Sequence, residues 1–340
     1  MKKVLFLAAM LSLVLVGFSC TKPGGNRTDS QTPGNNSGNE GEENGNGGGQ
    51  NDEPEGPKVT TCEENLVLWI SFDNDNLIEK GEGVSFKENK GDVQIKTGYI
   101  GKGWFNKSGD NTATAYSKFN VAADNAFKKI EKVTMTAWVL PYAEKAKIKG
   151  CLFSLNGARF TDGKNHDFPA MNVYFDNFGE NTDEETGAKV PWQQINGRFI
   201  FHDDKGAEQN LFLNSGLTDF DYYGKWFQLA VTYDKDRQVM DEEKGAMAAR
   251  DQVNIYINGQ PVIALTFPHN IPFNNLVTEF CNAFYVGGWS SFIEGDSVQT
   301  WQNYWAGGID EIRIYNKALS EEEVLALYKE EVAVNLYQED

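Results

Sequence analysis

The sequence is poor in the residues from which metal sites and nucleophilic triads are usually built. Among its 340 residues there are three histidines, at positions 166, 202 and 269, and four cysteines. It contains neither a C-x-x-C nor an H-E-x-x-H motif. The chain therefore has few residues from which a zinc centre or a histidine-based triad could be built.

Basic residues are also scarce relative to acidic ones. Lys and Arg number 31 against 49 Asp and Glu, so the formal net charge is −18. A nucleic-acid binder needs a basic face for the phosphates, so this balance argues against nucleic acid as a partner. The same excess of acidic residues disfavours sulfated or uronic-acid-rich polymers as ligands. The aromatic content of 13% is too high for a wholly disordered chain and predicts a folded core.

The first 19 residues have the pattern of a secretory signal. Lys2 and Lys3 precede an apolar run from Val4 to Val16, and small residues follow it. The run is shorter than the ~20 residues that a membrane-spanning helix needs. The residues L-V-G-F-S-C resemble the lipobox of bacterial lipoproteins, which implies that Cys20 is acylated and becomes the mature N-terminus. Ordinary secretion with a chance cysteine is the alternative.

Residues 20–61 are predicted to be a lipid-anchored tether. From residue 21 to residue 61 there are ten Gly, seven Asn and four Pro, with no aromatic residue. Such a segment cannot form a core, and a flexible chain of this length reaches ~35 Å on average. The folded domain is then expected over residues 62–340.

Short segments of β-branched and aromatic residues recur through that domain between turn signals. No helical pattern separates them, which predicts an all-β, two-sheet antiparallel jelly-roll sandwich and not βαβ units. The predicted strands are 66–72, 133–141, 151–155, 171–175, 198–202, 211–213, 226–233, 253–257, 283–286 and 308–315.

Two local patterns add detail to this architecture. Asn258-Gly259 between V-N-I-Y-I and P-V-I predicts a tight hairpin. Near the end of the chain, Ser320 as N-cap and Glu323 three residues later predict a short helix. Its expected apolar face consists of Val324, Leu325, Leu327 and Tyr328.

A family resemblance rests on seven segments that occur in a specific order. They closely resemble the LamG-like jelly-roll domains of the concanavalin A-like lectin and glucanase superfamily, over almost all of residues 66–328. Polar insertions at 177–190 and 234–253 depart from the family pattern. The segments are L-V-L-W-I-S-F-D (66–73), G-Y-I-G-K-G-W (98–104), V-T-M-T-A-W-V-L-P (133–141), W-F-Q-L-A-V-T-Y-D (226–234), V-N-I-Y-I-N-G (253–259), F-Y-V-G-G (284–288) and G-G-I-D-E-I-R-I-Y-N-K-A-L-S (307–320).

Several conspicuous residues are expected to be structural. Trp69, Trp138 and Trp226 lie in apolar strand segments and match core positions of the resembled family. Cys151 is expected to be a buried apolar residue. Cys62 and Cys281 are candidates for a disulfide in an oxidising compartment, although the sequence cannot supply the distance between them.

The sequence offers no clear catalytic motif. Glucanases of the resembled superfamily carry acids on one strand as E-x-D-x-x-E, because alternation places them on one face of the sheet. The nearest match here is E-G-D-S-V-Q at 294–299, which lacks the third acid. A hydrolase or lyase with catalytic carboxylates on distant segments stays open, because such residues leave no local signature.

The segment between Gly288 and Gly307 has the composition of a sugar-binding loop. An aromatic ring covers the apolar side of a pyranose while amides and carboxylates bond its hydroxyls. Trp305, which matches a core position of the family, is assigned to packing. The candidate ligand-binding residues are Trp301, Trp289, Tyr304, Phe292 and Gln299, with Trp192 and Tyr222 as secondary candidates in similar aromatic and polar segments.

Two carboxylates are candidate ligands of a structural calcium ion. Asp73 follows the first strand and Asp310 lies at the start of the last one, and the resemblance implies that these strands are neighbours. Related domains often hold calcium at this rim, and hard oxygen ligands would suit the ion. The alternative is that Asp73 caps a turn and Asp310 accepts backbone hydrogen bonds.

Together these features predict a lipid-anchored, non-enzymatic protein of the cell envelope, at an outer membrane and exposed on the cell surface. The resemblance implies a glycan partner, and the composition favours a neutral oligo- or polysaccharide. Two alternatives stay open: an accessory protein- or peptide-binding subunit of an outer-membrane uptake or adhesion complex, and the enzyme with dispersed carboxylates.

Overall fold

The structure of the full chain is a computed structural model. The structure describes residues 56–142, 149–157, 169–202, 208–218, 220–241, 245–268, 276, 278, 281–295 and 303–339. The predicted signal segment at 1–19 and the part of the tether before residue 56 lie outside these residues. Among the described residues, no helix is both long enough and apolar enough to cross a lipid bilayer.

The described chain is dominated by β-strands, with one short and one long helix. Helix α1 is Ser290–Ile293 and helix α2 is Glu321–Glu339. The strands are β1 Leu66–Ile70, β2 Lys80–Gly81, β3 Val84–Gly91, β4 Val93–Thr97, β5 Lys102–Asn106, β6 Ala115–Val121, β7 Val133–Pro141, β8 Gly150–Leu155, β9 Met171–Thr182, β10 Lys189–His202, β11 Glu208–Thr218, β12 Phe227–Asp241, β13 Ala246–Ile257, β14 Gln260–Pro268, β15 Ala283–Val286 and β16 Gly307–Tyr315.

These strands form two antiparallel sheets. The first sheet has the order β14-β13-β12-β7-β16-β1-β2, and β5 pairs with both β16 and β4. The second sheet has the order β11-β10-β9-β8-β15-β6-β3. The first and last strands, β1 and β16, are direct neighbours. The predicted jelly-roll sandwich is confirmed.

The core lies between the two sheets and consists mainly of alternate residues of each strand. On β7, Val133, Met135 and Val139 belong to the main core cluster. The intervening Thr136 and Trp138 are buried as well, at 1% and 2% exposure. Both faces of this strand are therefore covered, which explains its continuous burial.

The predicted strands all occur, several with longer bounds. The polar insertions at 177–190 and 234–253 extend the β9–β10 and β12–β13 hairpins as paired strands. Asn258 and Gly259 have φ of 51° and 73°, as the turn between β13 and β14 requires, so that predicted hairpin is confirmed. Strands β2 to β6, between residues 80 and 121, were not among the predicted strands.

Helix α2 covers the outer face of the first sheet and begins as predicted. The Glu323 amide donates to Ser320 Oγ at 3.3 Å, and the Ser320 amide donates to Glu323 Oε2 at 2.9 Å, which is a capping box. Val324 and Leu327 are fully buried in a second apolar cluster. The helix is much longer than its four predicted apolar residues, and it reaches Glu339.

A buried ion-pair network joins α2 to the last strand. Arg313 on β16 pairs with Glu311 and with Glu331, and all three are about 1% exposed. Trp138 Nε1 donates to Glu331 Oε2 at 2.7 Å. Trp69 Nε1 donates to Glu311 Oε2 at 2.9 Å. Breaking such a pair would leave an uncompensated buried charge. The network therefore holds α2 in one position on the sheet.

The described cysteines lie in different clusters of the fold. The Cys62 thiol lies 3.2 Å from Glu323 Oε1, at the edge of the second apolar cluster. Cys281 is buried in the main core. Of the described cysteines, Cys62 and Cys281 are not joined by a disulfide. Cys151 is fully buried, as expected.

The buried network predicts that stability falls as pH rises toward neutrality. Burial, opposed by Arg313, raises the pKa of Glu311 from 4.5 to about 7. Burial also raises the pKa of Asp310 and Glu331. Because the folded state then binds more protons than the unfolded state, this stabilising contribution is present below about pH 4.5 and lost through about pH 7. We expect a higher melting temperature at pH 5.5 than at pH 8, by several degrees.

The Glu311→Gln variant should flatten this dependence, because its side-chain oxygen still accepts from Trp69 and no longer titrates. Circular dichroism melts across pH 5 to 8 measure the slope. Glu64→Gln, at an exposed position, serves as the control. Parallel slopes for Glu311→Gln and the unsubstituted protein would contradict the assignment.

Candidate functional site

The aromatic segment that follows β15 lies on the outer face of the second sheet. Its short helix α1 is held there through Ser154 on β8. The Ser290 amide donates to Ser154 Oγ at 2.8 Å, and Ser154 Oγ donates to the carbonyl of Gly288 at 2.9 Å. Tyr304 forms an isolated bridge to Cys151 on the same strand. Both described ends of the segment are thus anchored to β8.

Four rings form what we call the aromatic patch: Tyr116, Tyr285, Phe292 and Tyr304. Tyr116 and Tyr304 are nearly parallel, with centroids 6.3 Å apart and planes at 11°. Phe292 meets Tyr304 edge-on at 5.6 Å, and Tyr116 meets Tyr285 at 5.8 Å. Tyr285 and Tyr304 are buried, whereas Tyr116 and Phe292 are half-buried. The partly exposed rings therefore rest on buried ones, which hold them in place.

Polar groups surround the patch. The Tyr285 hydroxyl donates to Glu294 Oε1 at 2.8 Å, and Asn156 Nδ2 donates to the same oxygen at 2.8 Å. Asn156 Oδ1 accepts from the amides of Asn282 and Ala283, each at 2.9 Å. The Lys118 ammonium lies 5.3 Å from the Tyr285 ring centroid. Burial and the Glu294 carboxylate raise the pKa of Tyr285, so its hydroxyl stays a donor.

A row of polar side chains continues from this rim across the sheet. The strand register places five residues opposite one another in a row that runs from β6 to β10. They are Lys118, Tyr285, Ser154, Asn172 and Arg198. Asn172 is fully buried and Arg198 is 7% exposed. The outward strand positions of this sheet thus carry polar side chains, in contrast to the apolar inner face, and several of these side chains are buried beneath other residues.

Trp289 differs from the expectation of an exposed stacking ring. It is 1% exposed, and its centroid lies 4.5 Å from that of Tyr174 in a small cluster with Cys151. The structure corrects the prediction here, because a ring enclosed on this scale offers no face to a ligand. Burial raises the pKa of the neighbouring Cys151 thiol well above its ordinary value, which makes the thiol unreactive.

The other residues of this segment fall into three groups. Trp305 is fully buried and packs on Phe175 at 5.0 Å, so its assignment to the core is confirmed. Phe292 and Tyr304 belong to the aromatic patch. The candidates Gln299 and Trp301 lie outside the described residues, in the interval between Gly295 and Asn303 that adjoins the patch in the chain.

The secondary candidates Trp192 and Tyr222 lie elsewhere on the sandwich. Trp192 on β10 is half-buried and lies over Gly179, where a Cβ would come within 2.7 Å of its Nε1. Tyr222 packs on the core rings of Phe220 and Phe227 at 5.4 and 4.9 Å. Among the described rings, neither contacts the aromatic patch.

The sequence pattern missed Tyr116 and Tyr285, which lie far apart in sequence and meet only through strand pairing. Tyr116 lies in a segment not predicted as a strand, and Tyr285 lies in the predicted strand 283–286, from which no candidate binding residue was chosen. Alternation within F-Y-V of β15 was the available signal. Since Phe284 faces the core, Tyr285 must face outward.

Asp73 and Asp310 both meet the turn that precedes β5, but both bind its backbone. Asp310 is fully buried, and its Oδ2 accepts from the amides of Tyr99 and Ile100 at 2.8 and 2.9 Å. Its Oδ1 accepts from the Glu311 amide at 2.8 Å. The Lys102 amide donates to Asp73 Oδ1 at 2.6 Å.

This donor set does not fit a resident calcium ion at Asp310. Both of its oxygens already face N–H donors, and these would repel a cation bound at the same oxygens. Among the described residues, no group of three or more His, Cys, Asp or Glu could hold a metal ion. The arrangement instead has the geometry of the alternative role, in which the two acids hold the turn through its backbone.

The laminin G-type family model described as the concanavalin A-like lectin/glucanases superfamily matches residues 108–325. The chain belongs to this superfamily. The matched region contains all four rings of the aromatic patch. A comparison with the curated proteins finds no significant match.

Among solved structures, superfamily-like folds are found at low identity. One is domain 4 of an extracellular GH43 arabinanase from Geobacillus stearothermophilus in complex with arabinotriose, at 18% identity and TM-score 0.39, covering 78% of this chain and 98% of that one. The botulinum neurotoxin type G receptor-binding domain follows at 15% identity and TM-score 0.36, with 78% and 51% covered. The serotype D domain in complex with N-acetylneuraminic acid has 14% identity and TM-score 0.37, with 78% and 51% covered. This chain thus spans about half the length of the neurotoxin chains.

Calcium dependence of stability tests the carboxylate geometry. Because the Asp310 oxygens are taken by amides, we expect melting curves in chelator and in millimolar calcium to coincide, with magnesium at equal ionic strength as control. A bound ion would raise the melting temperature by mass action. A rise with calcium alone would reinstate the predicted site at Asp73 and Asp310.

Proposed function

We propose that the protein is a lipid-anchored, glycan-binding protein of the cell envelope that captures neutral oligo- or polysaccharide on the aromatic patch. The observation that carries the proposal is the patch itself, in a chain of the concanavalin A-like lectin/glucanases superfamily. Tyr116 and Phe292 present partly exposed rings, and amide, carboxylate and ammonium groups border them.

The chemistry of the patch suits a sugar ring. The apolar C–H face of a pyranose packs on an aromatic face, while its hydroxyls need donors and acceptors around the edge. Glu294 supplies an acceptor beside Tyr285, where Asn156 holds its carboxylate in place, and Lys118 supplies a donor. Buried contacts hold these groups in advance, so little side-chain entropy is lost on binding.

The net charge of the chain favours a neutral ligand. Among the described residues at the rim, Glu88 and Glu294 are balanced by Lys118 and Lys90, which lie opposite Glu88 and Tyr116 in the strand pairing. The whole chain carries −18. An anionic polymer would therefore meet repulsion from the chain as a whole.

Phe292→Ala and Tyr116→Ala test the patch. Each should lower affinity for a glycan identified on an array by roughly 1–3 kcal/mol, because each removes a stacking surface from a pre-formed site. The melting temperature should change little, since both rings are partly exposed. Isothermal titration on the full chain measures the affinity.

Tyr337→Ala is the matched control, since this ring is 57% exposed on α2 and lies away from the patch. Trp301→Ala, predicted from sequence to act in the same loop, belongs in the same series. Normal binding by folded Phe292→Ala and Tyr116→Ala proteins would refute the patch. Release of shortened glycans during the assay would instead identify a hydrolase or lyase.

The proposed location, at an outer membrane and facing outward, depends on the predicted acylation of Cys20. Cys20→Ala should abolish acyl labelling and move the protein from the membrane fraction to the soluble one, because a lipid chain is the only anchor that the sequence predicts. Fractionation after a high-salt wash measures this. A Cys20→Ala protein that stays with the membranes would contradict the anchor.

A second function, as an accessory subunit of an uptake or adhesion complex, is favoured by one surface feature. At the end of the long β12–β13 hairpin, Met240 and Met247 lie opposite each other and are 59% and 55% exposed. Adjacent exposed methionines suit an adaptable protein contact. Co-purification with envelope proteins that is lost in a Met240→Ser, Met247→Ser variant would support this function.

A further inference from the structure

A cleft lies on the outer face of the first sheet, on the side of the sandwich opposite the aromatic patch. Its volume is about 200 Å³. Strands β1, β2 and β16 form its floor, and the N-terminal segment 59–63 forms one wall. The lining residues are Val59, Thr61, Glu63, Leu66, Trp69, Glu79, Lys80, Arg313 and Tyr315.

The wall of the cleft is held in place by helix α2. Glu330 Oε2 accepts from the amides of Thr60 and Thr61 at 2.8 and 2.9 Å. On the other side, Lys80 Nζ donates to the carbonyl of Glu63 at 2.9 Å. These contacts fix the N-terminal segment over the sheet, so the cleft is pre-formed.

The floor contains a tyrosine hydroxyl that can donate a hydrogen bond. Tyr315 is 1% exposed and lines the cleft. Burial raises the pKa of this hydroxyl, so the group is neutral and retains a proton to donate. A saccharide oxygen in the cleft would accept that proton.

The charges of the lining favour a neutral occupant with hydroxyl groups. The Arg313 charge is already compensated by Glu311 and Glu331. Around the opening, Glu63 and Glu79 then outnumber Lys80. Anions are disfavoured by this balance, whereas two carboxylates and an ammonium are good partners for hydroxyls.

Size and apolar surface restrict the occupant further. A cleft of about 200 Å³ is below the ~300–1,000 Å³ typical of drug-sized ligands, so it accommodates one small ring. Trp69 is half-buried, with the Arg313 guanidinium 4.5 Å from its ring centroid, and Leu66 and Val59 add apolar surface. This combination of an indole, aliphatic groups and ionic rim matches a pyranose or furanose ring.

We propose that this cleft is a second saccharide site, which takes one neutral monosaccharide residue through Trp69, Glu79, Lys80 and Tyr315. It works independently of the aromatic patch, because the two lie on opposite sheets. The protein then has two separate points of contact for glycan, and a branched or long chain could engage more than one copy.

The test uses the full chain labelled with 5-fluorotryptophan and followed by fluorine NMR. The Trp69 signal is assigned by its loss in Trp69→Phe. The probes are D-glucose, D-galactose and L-arabinose, with D-glucuronate as the anionic comparator. We expect at least one neutral sugar to shift the Trp69 signal in a saturable way, and glucuronate to bind at least about tenfold more weakly.

Tyr315→Phe is the decisive variant, since it removes only one hydroxyl from the lining of the cleft. Its melting temperature should stay close to that of the unsubstituted protein, while sugar affinity at Trp69 falls about tenfold. Glu79→Gln, which keeps an accepting oxygen for Ser71 and Asn74, should weaken binding as well. Tyr337→Phe is the control and should change neither quantity.

The outcomes separate this site from the aromatic patch. Phe292→Ala should leave the Trp69 titration unchanged. Sugar binding at the cleft can therefore be refuted while glycan binding at the aromatic patch stands, and glycan binding at the patch can be refuted while sugar binding at the cleft stands. The proposal is overturned if no neutral sugar shifts the Trp69 signal, if Tyr315→Phe binds as the unsubstituted protein does, or if Phe292→Ala abolishes the shift.

Discussion

The buried Arg313 is the interaction on which the outer side of the first sheet depends. Its guanidinium lies between Glu311 of its own strand and Glu331 of α2, and the indoles of Trp69 and Trp138 donate to the same two carboxylates. Two buried carboxylates around one buried guanidinium tolerate little displacement, because a shift would leave a charge away from water without its partner. The helix is therefore held over one side of the sandwich. The N-terminal segment, bound to Glu330, is held there with it, and the cleft beside Trp69 follows from that arrangement.

The two outer faces of the sandwich consequently have different roles. The first sheet is covered by α2, so its outward residues on β7 and β16 are as buried as its inward ones. The second sheet bears polar and aromatic side chains outward, and in the described part of the chain the short segment around α1 is anchored across it through Ser154. A binding surface can form on the second sheet because its outward strand positions carry donors, acceptors and rings instead of the apolar residues needed to seat a helix.

The two proposed glycan sites, at the patch and at the cleft, would rely on the same physical interactions. In both, buried partners orient a few polar groups beside an indole, phenol or phenyl ring. In the patch the ring faces are partly open and suit a chain lying across the surface. In the cleft the volume is small and suits one residue. The exposed Met240 and Met247 stand apart from both, on a hairpin that extends beyond the paired core.

The sequence by itself determined the alternation of strands, the Asn258-Gly259 turn, the capping box at Ser320 and the packing of Trp305, because each depends on residues close together in the chain or on one strand's period. It also determined the superfamily, since the order of several segments is conserved in the pattern it resembles. Only the tertiary structure decided that Trp289 is buried by Tyr174, that the Asp310 oxygens are occupied by backbone amides, and that Tyr116 joins Tyr285. These outcomes depend on strand order and register, which bring residues more than a hundred positions apart into contact, and no local pattern encodes such pairings.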